Sequence, residues 1–330
     1  MLKLLRDVVA RCVQDYLDPP MEIVTEPIVP QKRPVTDIGH LKGQEDAKIG
    51  MLIAAYGQHD VLLIGPPGEG KTFLAETVPG FLPPLTQQEI QERYACLRDD
   101  SVLRPFVMAG ATLSETDLLG GGRTCPRPGL VTRAHGGILF LDEFPHFKKE
   151  VVEGLRTVME SGVSTINRAG IEANFPAQFM LIAAMNPCPC GYSGYADCSC
   201  SEAVLKRYQK CISGPILDRI DMILSMSTTT QEQYFAPPEL GQSDNFLERV
   251  TDAIAFRELS RNQYFPNSNI PGYDVPNESS SLLKWGKSGL EEFKRVIDEP
   301  KFSGRKKTRL AKVARSYADL CDSELILGEH

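Results

Sequence analysis

Val61-Leu62-Leu63-Ile64 runs directly into Gly65-Pro66-Pro67-Gly68-Glu69-Gly70-Lys71-Thr72, and Phe73-Leu74-Ala75-Glu76 continues with helical character. Four consecutive apolar residues describe a strand covered on both faces, as in a parallel sheet layered by helices. The G-x-x-x-x-G-K-T spacing between strand and helix is a phosphate-binding loop in the context that motif requires. Its glycines let successive backbone N–H groups turn toward phosphate oxygens, which also meet the positive end of the following helix. Gly65, Pro66, Pro67, Gly68, Glu69, Gly70, Lys71 and Thr72 are therefore the expected cradle of ATP. Lys71 reaches for the β/γ-phosphates and the Thr72 hydroxyl for Mg²⁺.

The rest of the chain supports a sheet built around that strand. Short apolar runs at 61–64, 138–141, 179–184 and 222–225 alternate with helical patterns, which is the rhythm of an α/β fold. The segment from Asp37 to Ala55 has helical spacing. Residues 1–20 read as an amphipathic helix stopped by Pro19-Pro20, followed by an extended Pro-rich arm to residue 36. The expected organisation is the arm (1–36), an α/β nucleotide-binding domain (37–227), a polar linker (228–245) and a small helical lid (246–330). Within the lid, helical patterns cover 246–263, 280–298 and 303–321.

Composition narrows the setting. The chain has 330 residues, 42% of them hydrophobic and 24% charged, as in ordinary globular proteins. No apolar run is long enough to span a bilayer, and charges interrupt the first residues too often for a signal peptide. Nine cysteines without an export signal point to a reducing, cytoplasmic setting. A net charge of −7 argues against a protein coated with basic residues, although a ring channel needs only a local basic surface.

Gly136-Gly137-Ile138-Leu139-Phe140-Leu141-Asp142-Glu143 describes a buried strand delivering two carboxylates at its C-terminal edge, where α/β sheets bind ligands. Asp142 suits Mg²⁺, a hard cation that prefers oxygen. Glu143 suits a base that orients and deprotonates water. A third strand, Phe179 to Met185, ends at Asn186, an amide able to meet a γ-phosphate or lytic water, or simply to open the Asn186-Pro187 turn. In Asp218-Arg219-Ile220-Asp221 the arginine is either part of a surface ion pair or a finger presented to a neighbouring subunit.

Together these segments closely resemble the magnesium-chelatase-like AAA+ ATPases, and within them the ComM/YifB branch. The phosphate loop, Arg127-Pro128-Gly129-Leu130, Ala134-His135 through Glu143, Phe175 through Gly191 and Ser213 through Asp221 carry the resemblance, with Asn186-Pro187-Cys188-Pro189-Cys190-Gly191 most specific to the branch. It implies an AAA+ P-loop core, a parallel sheet with helices on both faces, followed by a helical lid. It also implies a homo-oligomeric ring, usually a hexamer, with ATP between subunits. Asn186 then matches the first sensor and Arg219 the arginine finger. In the basic lid helix Arg305 best matches the second sensor, with Arg309 as the alternative. Ser164 to Phe175 matches the pre-sensor hairpin facing the channel, with Arg168 at its tip.

The chain also departs from the branch. Arg104-Pro105-Phe106-Val107-Met108-Ala109-Gly110-Ala111 replaces a segment that usually carries a second Arg and two His, and Phe144-Pro145-His146-Phe147 replaces an acidic turn. A Lon-protease-like N-terminal domain is expected to be lacking, since only about forty residues precede the motor, and the chain, ending at Glu329-His330, is expected to stop somewhat short of the family's usual final helix.

Cys188, Cys190, Cys198 and Cys200 form C-x-C-x₇-C-x-C around Gly191 and Gly194. Four thiolates on one loop can satisfy a structural, tetrahedral Zn²⁺. The tight C-x-C spacing leaves open the other reading, four reduced cysteines in a family-specific loop. The expected function is an ATP-hydrolysing ring motor remodelling DNA in the ComM manner, by branch migration. The alternative is a chelatase- or MoxR-like motor acting on a protein partner for metal or cofactor insertion. No membrane is involved in either reading.

Overall fold

The computed structural model describes residues 36–82, 84–99, 101–122, 126–168, 171–194, 198–211, 214–262, 283–298 and 303–330. The N-terminal helix and the arm, apart from Thr36, lie outside the described residues, as do Cys12, Cys125 and the Ala169-Gly170 tip of the expected hairpin.

Among the described residues nine strands occur in chain order: β1 (Val61–Ile64), β2 (Phe106–Ala109), β3 (Gly120–Gly121), β4 (Arg127–Pro128), β5 (Ile138–Leu141), β6 (Val163–Arg168), β7 (Ile171–Pro176), β8 (Met180–Met185) and β9 (Met222–Ser225). Five form a parallel sheet in the order β2-β5-β8-β1-β9. β1 lies between two parallel neighbours, with Val61 level with Ile182 on one side and Met222 on the other. Its residues Val61, Leu62 and Leu63 are buried, as are all residues of β5 and β8, because helices cover the sheet. This is the mixed α/β architecture of an AAA+ core, with helices following at its C-terminal side.

The chain divides into two compact units. One comprises residues 84–139 and 147–179 among those described. Its first helix, α1 (Gln87–Leu97), starts at a capping box: Thr86 accepts from the Glu89 amide at 3.2 Å, while Glu89 accepts from the Thr86 amide at 2.7 Å. Arg104 belongs to the same framework, bonding Glu89 at 3.1 Å and the Pro84 carbonyl at 3.1 Å, and the Gly136 carbonyl more closely. His135 is buried between Glu92 (2.8 Å) and the Gln178 amide, which donates to its Nδ1 at 3.2 Å. Both residues thus hold the turn that feeds β5. Further along, α2 (Lys149–Ser161) buries Val151, Val152, Leu155 and Val158 on one stripe and stops at Gly162, whose φ of 68° suits a glycine cap. β6 and β7 then form an antiparallel hairpin in which Arg168 pairs with Ile171.

The second unit comprises 36–82, 140–146 and 180–330 among the described residues. Its helix α3 (Glu45–Gly57) is buried over most of its surface, so its apolar residues are not confined to one stripe. It packs against α4 (Gln242–Asn262) and α5 (Gly304–Leu320), the long helices of the C-terminal segment. Tyr56 on α3 donates to Asp319 on α5 at 2.8 Å, and Asp319 pairs with Arg315 at 2.8 Å. Phe81 meets Phe246 edge-on, with ring centroids 5.6 Å apart. The tract 228–245 contains a short helix, Gln231–Phe235, with its own capping box at Thr230. Among the described residues no helix is long and apolar enough to cross a membrane.

Leu63 is fully buried in the strand that carries the phosphate loop. Leu63→Ala is expected to destabilise the protein by about 3 kcal/mol, the usual cost of a core cavity of that size, read as a lowered midpoint in chemical denaturation.

Candidate nucleotide site

The end of β1 positions the loop. Gly65 donates its amide to the Met185 carbonyl at 3.3 Å, so the loop leaves the sheet level with the residue before Asn186. Gly68 (φ 82°) and Gly70 (φ 86°) take left-handed conformations that only glycine adopts without strain, and a Cβ at Gly68 would meet nothing within 4 Å. That open face is where a phosphate fits. Glu69 points elsewhere, accepting from the Thr229 amide at 2.9 Å and hydroxyl at 2.8 Å.

Lys71 curls back over the loop. Its Nζ donates to the carbonyls of Gly65 and Pro66, each at 2.7 Å, and to Asn186 Oδ1 at 3.0 Å. Burial lowers its pKa, against the opposing pull of the Asp142 and Glu69 carboxylates. Thr72 donates its hydroxyl to Asp142 Oδ2 at a long 3.4 Å, leaving two oxygens side by side in a setting that suits a hard divalent cation. The residues present therefore fit both a polyphosphate and Mg²⁺.

Glu143 follows Asp142 in a left-handed conformation (φ 53°), a strained geometry for a non-glycine residue. Its amide donates to Asp142 Oδ1 at 2.9 Å, which helps to hold the turn. The Glu143 side chain is 67% exposed and lies 3.6 Å from His146 Nδ1. His146 lies in the Phe144-Pro145-His146-Phe147 turn and gives Glu143 an imidazole neighbour.

Thr72, Lys71, Asp142, Glu143 and Asn186 gather around the C-terminal end of the sheet. Arg219, Arg305 and Arg309 are placed differently. Arg219 is 6% exposed and donates to the Pro215 carbonyl at 2.5 Å. Arg309 pairs with Asp221 at 3.2 Å, and Asp221 accepts from the Asp60 amide at 3.0 Å, at the residue preceding β1. Arg309 thus sits at the N-terminal end of the strand whose other end carries the phosphate loop, a separation of about 13 Å along four residues. Arg305 is exposed, one helical turn from Arg309. Lys306 pairs with Asp218 at 3.4 Å, so both acids flanking Arg219 are tied to α5.

The cluster at that N-terminal end escapes sequence reasoning. Asp60 accepts from the Leu181 amide at 2.8 Å, and His59 bonds Ser316 of α5 at 2.8 Å while its Nδ1 lies 3.6 Å from Asp221. Asp60 keeps some surface exposure, yet the protein packed around its carboxyl, and then the charge of Asp221, push its pKa well up. Burial would raise Asp221 as well, but His59, Arg309 and the Asp60 amide outweigh it and hold that carboxyl down. The two carboxyls are therefore pushed in opposite directions, Asp60 up and Asp221 down.

Tyr208, on α6 (Glu202–Gln209), is a second residue the motifs do not indicate. Burial and then the neighbouring Cys188 push its phenol up to about 12, while a hydrogen bond with the Asn186 backbone pulls the other way.

The sequence matches the magnesium chelatase, subunit ChlI, family over residues 37–234. It is 34% identical to the uncharacterized protein YifB of Escherichia coli over 302 residues, covering 89% of this chain and 58% of that protein. Identity to the competence protein ComM of Haemophilus influenzae is 33% over 327 residues, 96% of this chain and 63% of that protein. The magnesium-chelatase 38 kDa subunit of Rhodobacter capsulatus is 28% identical over 179 residues, 47% of this chain and 51% of that subunit. The chain thus spans less than two thirds of the length of the first two relatives.

Asp221→Asn removes the ionised partner of Arg309 and is expected to cost about 3 kcal/mol, as loss of one member of a largely buried pair does. Denaturation of the variant should show that loss; an unchanged midpoint would mean the cluster contributes nothing.

Proposed function

The chain belongs to the magnesium chelatase, subunit ChlI, family of AAA+ proteins, and from that premise we propose that it is an ATP-hydrolysing ring motor that remodels DNA. The observation that carries the ATPase reading is the convergence of Lys71, Asn186, Thr72 and Asp142 at one sheet edge. Lys71 already spends its donors on two loop carbonyls and Asn186; phosphate oxygens are stronger acceptors and would draw it outward. Thr72 and Asp142 would hold Mg²⁺, which supplies Lewis-acid charge neutralisation on the phosphates. Glu143, exposed beside them, would orient a water and accept its proton. Asn186 would keep that water or the terminal phosphate in register with the loop.

Arg219 completes the site from the next subunit in this reading. Its burial in the single chain means that the guanidinium must leave its pocket on assembly. The lid helix is the element able to drive this, because Lys306 and Arg309 hold the acids on either side of Arg219. Arg309, at the far end of β1 from its own phosphate loop, also fits a neighbour's nucleotide better than its own. Exposed Arg305 has the same choice. The setting is cytoplasmic, and the ring is homo-oligomeric, of six subunits.

DNA is favoured as substrate by similarity to a relative named as a competence protein across nearly the whole chain. A second reading, remodelling of a protein partner for metal or cofactor insertion, draws on the net charge of −7 and on the similarity to a magnesium-chelatase subunit.

Glu143→Gln is expected to keep ATP binding, lower turnover by about 10²- to 10⁴-fold and accumulate a nucleotide-bound ring in size-exclusion chromatography. Unaltered turnover would remove Glu143 from the role of base. Single-stranded, duplex or four-way-junction DNA should stimulate wild-type hydrolysis at low salt, with the effect fading steeply as salt rises. No response to any of them would transfer the case to a protein substrate.

A further inference from the structure

Two residues beyond Asn186 the chain enters a loop on which four sulfurs converge. Cys188 Sγ lies 3.2 Å from Cys190 Sγ and 4.0 Å from Cys198 Sγ, and Cys190 lies 3.7 Å from Cys198. All four sulfurs, Cys200 included, fall within 4.8 Å of one another. A disulfide needs about 2.05 Å, and all four cysteines are free. A tetrahedron of sulfurs around one metal at about 2.3 Å has edges of about 3.8 Å. The three measured edges bracket that value. The sulfurs are also too close together to enclose a multi-iron cluster, whose terminal thiolates are separated by the inorganic core.

A backbone amide supports the same geometry. Ser193 donates to Cys188 Sγ at 3.2 Å, an outer-shell contact of the kind that orients and stabilises a metal-bound thiolate.

We propose that Cys188, Cys190, Cys198 and Cys200 bind one structural Zn²⁺, and that the resulting knot braces the phosphate loop. Binding converts four thiols to thiolates and releases four protons, with no change of oxidation state. Four protein ligands leave no open position, so the metal does no catalysis.

The brace runs through Gly191. This residue has φ 90° and bonds the Cys188 carbonyl at 3.0 Å, and a Cβ there would come within 2.7 Å of Pro67 Cδ. The cysteine loop therefore rests on the phosphate loop with only a hydrogen between them. From its other end it leads back to Asn186, whose amide oxygen holds Lys71. Fixing four ligands fixes both approaches to the nucleotide. The brace, though not the metal site, rests on the nucleotide-binding reading.

Zinc measured in the full chain, purified under reducing conditions without chelator, should be about one per chain. It should be lost in the Cys198→Ser, Cys200→Ser double variant and kept in Cys96→Ser, which alters a cysteine outside the cluster. Co²⁺ added to chelator-stripped wild-type chain should give the intense visible absorption of a tetrahedral thiolate site. A zinc-free wild type that also gives no such spectrum, or a double variant that retains its zinc, overturns the site. Stripping zinc from the wild type should weaken binding of a fluorescent ATP analogue roughly tenfold, as the competent loop becomes a minor population, and returning zinc should restore it. Unchanged affinity overturns the brace. Lys71→Ala should lose nucleotide while keeping zinc, so failure of the nucleotide reading remains separate from failure of the metal site.

Discussion

The two-sided pairing of β1 is the constraint on which the other features depend. A strand of four residues is held in register by β8 on one side and β9 on the other. Because Ile64 is level with Met185, the next residues, Gly65 and Asn186, emerge together, and Lys71 can bridge them. Because Val61 is level with Met222, the preceding residues, Asp60 and Asp221, meet at the opposite end. One register thus sets the loop edge and, about 17 Å away along the strand, a charged anchor for α5. A one-residue slip would turn the buried faces over and separate both pairs.

The two ends solve opposite electrostatic problems. At the loop a cation is partly buried, and neutral carbonyls satisfy it: Lys71 is held by groups that a phosphate can outbid. At the anchor two carboxyl groups crowd together, and the fold sets them apart by raising the pKa of Asp60 through burial and surrounding Asp221 with His59 and Arg309. The first arrangement is exchangeable and the second is tied into the core. That contrast suits the proposed motor, which would need a responsive loop and a firm mount for α5.

Much of this was legible in the sequence because it is local. The runs at 61–64, 138–141 and 222–225 are strands with those bounds, and the run at 179–184 is shifted by one, to Met180–Met185. The phosphate loop is read from its G-x-x-x-x-G-K-T spacing between strand and helix, and Asp142 and Asn186 from their places at strand ends. β2 was not legible, since Phe106–Ala109 is short, only partly covered and closed in by Pro105 and Gly110. The pairings of Lys306 with Asp218 and Arg309 with Asp221 were not legible either. They join residues far apart in the chain, and no periodicity specifies which surface charge meets which. Tyr208 was missed for a similar reason: one aromatic residue on a polar helix carries no signal until the turn at Asn186 is placed beside it.

Arg219 is the residue on which the proposed dependence on a neighbouring subunit rests. A guanidinium at the surface of an unassembled chain would be free to pair with any anion. Here it is covered and bonded to the carbonyl of Pro215, four residues earlier, while the acids on either side are held by α5. On the proposed reading, assembly would draw the guanidinium from this pocket toward a neighbouring subunit's phosphate, a charged acceptor, and hydrolysis would await that step.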